Sequence, residues 1–171
     1  ERTIFLFITH APEKVLQTIF SRCQSIRVLP LSKEEQMLVE ERRPESDRDE
    51  YNEFMDLFSD LMNSITSRDL SSALECGEMM AALESREKQK AFCTFAADCI
   101  RKIFMIRQNM PHLAGISEEE MAFYEGVSEK CGGSFCTRSI TNIEKVVSMI
   151  DRNVNSKILF CDLVNRLFLS I

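Results

Sequence analysis

Hydrophobic positions recur three and four residues apart over most of this chain, with polar residues between them. That spacing places the apolar side chains on one face of a helix. Tyr51, Phe54, Met55, Phe58, Leu61, Met62 and Ile65 form the first long stripe. Asp69 caps a second helix carrying Leu70, Ala73, Leu74, Met80 and Leu83. Ser85 starts a long third helix with Phe92, Phe95, Ala96, Cys99, Ile103 and Ile106, which stops before Pro111. Ser117 and Glu120 have the spacing of a capping box and open a fourth. Gly132-Gly133 reads as a loop, and Thr137 or Ser139 starts a fifth helix with Ile140, Ile143, Val146, Val147 and Ile150. Asn153 to Asn155 makes a break before the last helix, which uses Ile158, Leu159, Leu163, Leu167 and Phe168. Five or six helices with short connections predict a helical bundle over residues 51–171.

The first fifty residues have a different pattern. Ile4 to Ile8 is a continuous apolar run, the signature of a strand buried on both faces. Pro12 suits the first turn of a short helix running to about Phe20. Ser25 to Leu31 alternates enough for a second short strand. Such strands need sheet neighbours, and everything after residue 50 reads as helix. The expectation is therefore an α/β portion lying upstream of this segment. Ser32 and Glu35 can form a capping box, and the charged run from Glu40 to Glu50, interrupted by Pro44, reads as a solvated linker. The predicted fold is mainly α. Residues 1–31 are the edge of an α/β domain, 32–50 a linker or truncated lid, and 51–171 the bundle.

Composition narrows the functional classes. Five Gly, four Pro and nine Met among 171 residues suit helices. The formal net charge of -6 argues against a surface that grips nucleic acid by itself, which depends on Lys and Arg neutralising phosphates. No apolar run is long enough to cross a bilayer, and the N-terminal residues lack a signal-peptide pattern. The seven scattered cysteines fit buried thiols in a reducing cytoplasm. Cys131 and Cys136 flank Gly-Gly-Ser-Phe, but no second pair lies nearby and His112 is isolated, so the tight ligand spacing of a zinc site is missing. Cys23 has no His or Asp placed to activate it as a nucleophile. Adjacent acidic residues such as Glu118-Glu119 and Glu40-Glu41 point in different directions on a helix and suit solvated faces. No catalytic centre is expected within residues 1–171.

The most informative string is Thr9-His10-Ala11-Pro12-Glu13-Lys14-Val15-Leu16-Gln17-Thr18-Ile19-Phe20-Ser21-Arg22-Cys23-Gln24. A polar residue after an apolar strand, then Pro-Glu-Lys, then Thr-Ile-x-Ser-Arg-Cys, resembles the clamp-loader branch of the AAA+ ATPases. Within it, the chain is similar to delta-prime-type subunits of bacterial DNA polymerase III clamp loaders. The helix number and lengths, and the segment Asn153 to Asp162, resemble the collar domain of that family more loosely. The resemblance covers all but about residues 32–50. The family has a three-helix lid there, and this interval is too short to hold one, so Arg42, Arg43 and Arg48 are not assigned as a second sensor.

The resemblance implies roles. Arg22 matches the arginine finger, which reaches the ATP site of a neighbouring subunit. A guanidinium suits that task because it is always charged and meets two phosphate oxygens at once. Ser21 and Cys23 would pack the finger in place. Thr9 matches the sensor-1 position, while His10 departs from the family's usual Thr or Asn. This segment would bind no cofactor itself, with ATP held in the neighbouring subunit. The implied partners are the gamma or tau and delta subunits, and indirectly the sliding clamp and primer-template DNA. Two other readings stay open. One is the gamma or tau ATPase subunit, which an upstream Gly-x-x-x-x-Gly-Lys-Thr/Ser loop would mark. The other is a stand-alone helical interaction module.

Overall fold

Three helices begin where a side chain satisfies the free N–H groups of a first turn. In the computed structural model, which describes residues 4–9, 12–28 and 44–171, Asp69 accepts from the Ser72 N–H at 3.2 Å. Ser85 accepts from Lys88 N–H at 3.1 Å, and Asn155 from Lys157 and Ile158 N–H at 3.0 and 3.3 Å. These are the expected starts of three helices. The chain divides into two units, residues 1–43 and 44–171.

In the first unit, Ile4 to Thr9 and Gln24 to Val28 have no regular secondary structure and are exposed. The two expected strands are absent among the described residues, because a strand forms only by pairing with a neighbour. The expected helix from Pro12 to Phe20 is also broken. Pro12–Lys14 is a 3₁₀ turn, and a single α-turn, α1 (Gln17–Phe20), follows after Val15 and Leu16. The expected capping box at Ser32 and Glu35 lies outside the described residues.

The second unit is all helix and turn: α2 (Glu45–Thr66), α3 (Leu70–Ala82), α4 (Arg86–Arg107), α5 (Glu118–Lys130), α6 (Gly133–Ile150) and α7 (Ser156–Phe168). Two starts differ from expectation. The charged run was expected to be linker up to residue 50, but α2 begins at Glu45 behind Pro44, with Glu45 and Asp47 in its first turn. Carboxylates there face the positive end of the helix dipole, so the charge run favours the helix. Helix α6 starts at Gly133, capped by Gly132, four and six residues before the expected Thr137 and Ser139. Glycine breaks helix interiors but is tolerated at their N-cap.

Three arginines close three helix ends. Arg68 donates to the Phe168 and Ile171 carbonyls at 3.2 and 2.8 Å and lies over the Phe168 ring. Arg86 donates to Ile150 O at 2.8 Å, and Arg107 to Ser128 O at 3.1 Å. Each satisfies carbonyls left free at a C-terminus and meets the negative end of the dipole. Arg68 precedes α3 and holds the end of α7, so α3 and α7 run antiparallel. Arg86 relates α4 to α6 in the same way.

The core of the second unit draws on all six of its helices. Phe58, Met62, Ile65, Met80, Phe92, Ile100, Ile103, Tyr124, Phe135, Ile150, Phe160 and Leu167 are its largest fully buried side chains. Aromatic edges knit α2 to α4, with Phe54 and Phe92 at 5.5 Å between centroids and Tyr51 and Phe95 at 5.4 Å. The buried Gln89 is fully engaged: its amide donates to Ala81 O at 3.1 Å, and its oxygen accepts from Ser156 at 2.9 Å.

Ser139, expected near a helix start, is wholly buried inside α6, and its Oγ has no hydrogen-bond partner. An unsatisfied buried hydroxyl costs about 1–3 kcal/mol. Ser139→Ala is therefore expected to raise unfolding free energy by about 1 kcal/mol, helped by alanine's helix propensity. Urea titration of the two chains reads this as a higher midpoint at unchanged slope.

Candidate functional site

Arg22 sits two residues past the end of α1, where the chain turns out of its helical conformation. Its backbone N–H bonds Ile19 O at 3.0 Å, and Cys23 N–H bonds Phe20 O at 3.3 Å. Its guanidinium Nη1 donates to Thr18 O at 2.9 Å, and Ser21 Oγ donates to the same carbonyl at 3.3 Å. Arg22, Ser21 and Cys23 are all exposed. Arg22 therefore caps its own turn, using one of five donors. An exposed hydrogen bond of this kind contributes about 1 kcal/mol net, so it yields readily to a phosphate that offers two charged acceptors.

The other expected members are placed as follows. Thr9 ends the irregular apolar stretch and is exposed. His10 lies outside the described residues. The motif's two halves are thus a 3₁₀ turn over Pro12–Lys14 and an α-turn ending beside Arg22. Ser21 and Arg22 thus share the Thr18 carbonyl as acceptor.

Among the described residues, no group of three or more His, Cys, Asp or Glu side chains is placed to hold a metal. Cys131 and Cys136 are both buried, at the junction of α5 and α6. Burial pushes the Cys131 thiol up to about 12, Cys136 adding to the effect and Arg107 opposing it. Burial also raises Cys93 to about 12 and Cys99 to about 11, the latter opposed by a hydrogen bond from Tyr124 O–H at 3.2 Å. Such thiols stay protonated and unreactive at neutral pH. Cys23 and Cys161 are exposed. Titration with a chromogenic disulfide at about pH 8 is expected to find these two reacting fast and the five buried thiols reacting only in denaturant.

The unfolded thiols ionise near their ordinary value of 9.0 and the folded ones near 11 to 12. The folded state then holds more protons, so the contribution of these thiols to stability is level below about pH 8 and falls from 9 towards 12.

One feature of the bundle escaped the sequence reading. A shallow groove of about 740 Å³ runs between α3 and α7. Gly77 lets the helices approach closely there: a Cβ at this position would stand 3.1 Å from Val164 Cγ2. Ile158, expected in the core, instead projects into solvent at the groove edge with 69% exposure, while Phe160 and Val164 turn inward. The signal was available, since Phe160, Val164 and Leu167 keep helical spacing without Ile158.

Among the described residues, no helix is long and apolar enough to cross a membrane. Comparison with models of known protein families, with curated proteins and with solved structures finds no match.

Proposed function

We propose that this chain is a segment of a non-catalytic clamp-loader subunit of the delta-prime type. It presents Arg22 to ATP bound in a neighbouring subunit and joins the ring through its helical bundle. The observation that carries the reading is the string from Thr9 to Gln24, with Pro-Glu-Lys and Thr-Ile-x-Ser-Arg-Cys in the family's order. Two further features support it. Arg22 is exposed and, among the described residues, its guanidinium bonds its own turn, which suits engagement of an external anion. The exposed apolar run Ile4 to Ile8 suits a strand that completes a sheet of an α/β domain.

On this reading Thr9 marks the sensor-1 position and Ser21 and Cys23 flank the finger. The segment itself holds no nucleotide, and its partners are the gamma or tau and delta subunits. The sliding clamp and primer-template DNA are engaged by the assembly, which works in the cytoplasm. In trans, a finger stabilises charge that develops as the γ-phosphoryl group leaves.

The test uses the full-length protein, alone and mixed with the other loader subunits. The expected result is co-elution as one complex and no ATPase activity of the protein alone. Hydrolysis by the isolated protein would replace this reading with the gamma or tau ATPase. Failure to join the complex would leave a stand-alone interaction module.

A further inference from the structure

We infer that the groove between α3 and α7 docks an amphipathic helix of a partner protein, one whose apolar stripe is flanked by lysine or arginine. The inference does not rest on the role of Arg22. Leu74 and Gly77 on α3 and Ile158 on α7 supply the apolar part of the groove. Its wall residues run from Ser71 to Glu78 on α3 and from Lys157 to Asn165 on α7, which is about 10–12 Å, or two helical turns. That length takes apolar anchors at i and i+3 or i+4. A groove open along its length between two parallel-lying rods fits a third rod better than a small enclosed ligand.

Charge selects among helices. Glu75 and Glu78 line the α3 side, and α3 carries no lysine or arginine from Leu70 to Ala82. Neither carboxylate has an ion-pair partner among the described residues. Asp162 on the opposite side is already bridged to Arg166 at 2.7 Å, and Lys157 is the cation of the lining. A neutral or acidic helix would strip water from Glu75 and Glu78 without compensation. A basic one pairs with both at the rim, where complementary charge fixes register and speeds encounter.

The probe is a fluorescein-labelled peptide of leucine and lysine patterned as about four helical turns, with a leucine and glutamate peptide of the same pattern as control. Binding to the full chain is read by anisotropy. The Leu/Lys peptide is expected to bind and the Leu/Glu peptide not to. Ile158→Ser, at an exposed site that leaves the fold intact, and the double change Glu75→Gln, Glu78→Gln are each expected to weaken binding about tenfold or more. Glu118→Gln with Glu119→Gln, a distant acidic control, is expected to leave it unchanged. Circular dichroism confirms that each variant is folded. Absence of binding, equal binding of both peptides, a loss with the control variant as large as with the groove variants, or insensitivity to either groove variant would overturn the inference. So would concentration-dependent self-association abolished by Ile158→Ser, because a second copy would then be the occupant.

Discussion

Phe160→Ala is expected to be among the most damaging single changes in the bundle, costing about 3–5 kcal/mol, the range for truncating a buried phenylalanine. Phe160 is fully buried, and its backbone carbonyl lies close to Gly77 on α3. Removing its ring takes a large apolar side chain out of a core that also holds the fully buried Val164 and Leu167 of the same helix. Two positions earlier on α7, Ile158 is exposed, so Ile158→Ala is expected to stay within about 0.5 kcal/mol of the starting chain. Urea denaturation of both variants measures the contrast. Similar losses for the two would mean that α7 is rotated about its axis relative to this account.

Much of the bundle was legible because its helices are capped by local chemistry. Asp69 and Ser85 each bond an N–H three residues ahead, so sequence spacing alone identifies them, whereas Asn155 was read only as part of a break and also caps its helix. Ser117 illustrates the limit. It precedes α5 as expected but makes no side-chain capping bond. Glu120, its expected capping-box partner, instead accepts from Tyr51 O–H at 2.5 Å, a tertiary contact with α2. The same competition hid the arginine caps, which join residues 21, 64 and 100 or more positions apart. Ile158 was misplaced because an isoleucine in the first turn of an amphipathic helix matches the apolar stripe whether or not a neighbour covers it.

The expected α/β edge rests on a motif alone. An apolar run states what a strand contains, but pairing depends on residues in another strand. The Pro12 to Phe20 stretch shows a related effect. Its helix breaks at Val15 and Leu16, with Leu16 in an extended conformation at φ -55° and ψ 131°. None of its residues is buried, so no packed face holds a continuous helix together. Arg22, by contrast, was singled out by type and order alone, and its turn is held by bonds from Ser21 and Arg22 to the Thr18 carbonyl.

The central claim is that Arg22 acts on ATP held by a neighbouring subunit. The measurement is the DNA- and clamp-stimulated ATPase rate of the loader reconstituted with the full-length protein, carrying Arg22, Arg22→Lys or Arg22→Ala. Removing a guanidinium that meets phosphate oxygens in the transition state lowers the rate, whereas removing a surface cap on the Thr18 carbonyl does not. With assembly intact, Arg22→Ala is expected to lower the rate by about tenfold or more, equivalent to about 1.4 kcal/mol of transition-state stabilisation. Arg22→Lys is expected to recover little of it, because a lysine offers a point charge without the two-pronged geometry. An intact complex with an unchanged rate in Arg22→Ala would contradict the account and leave Arg22 as the cap of its own helical turn.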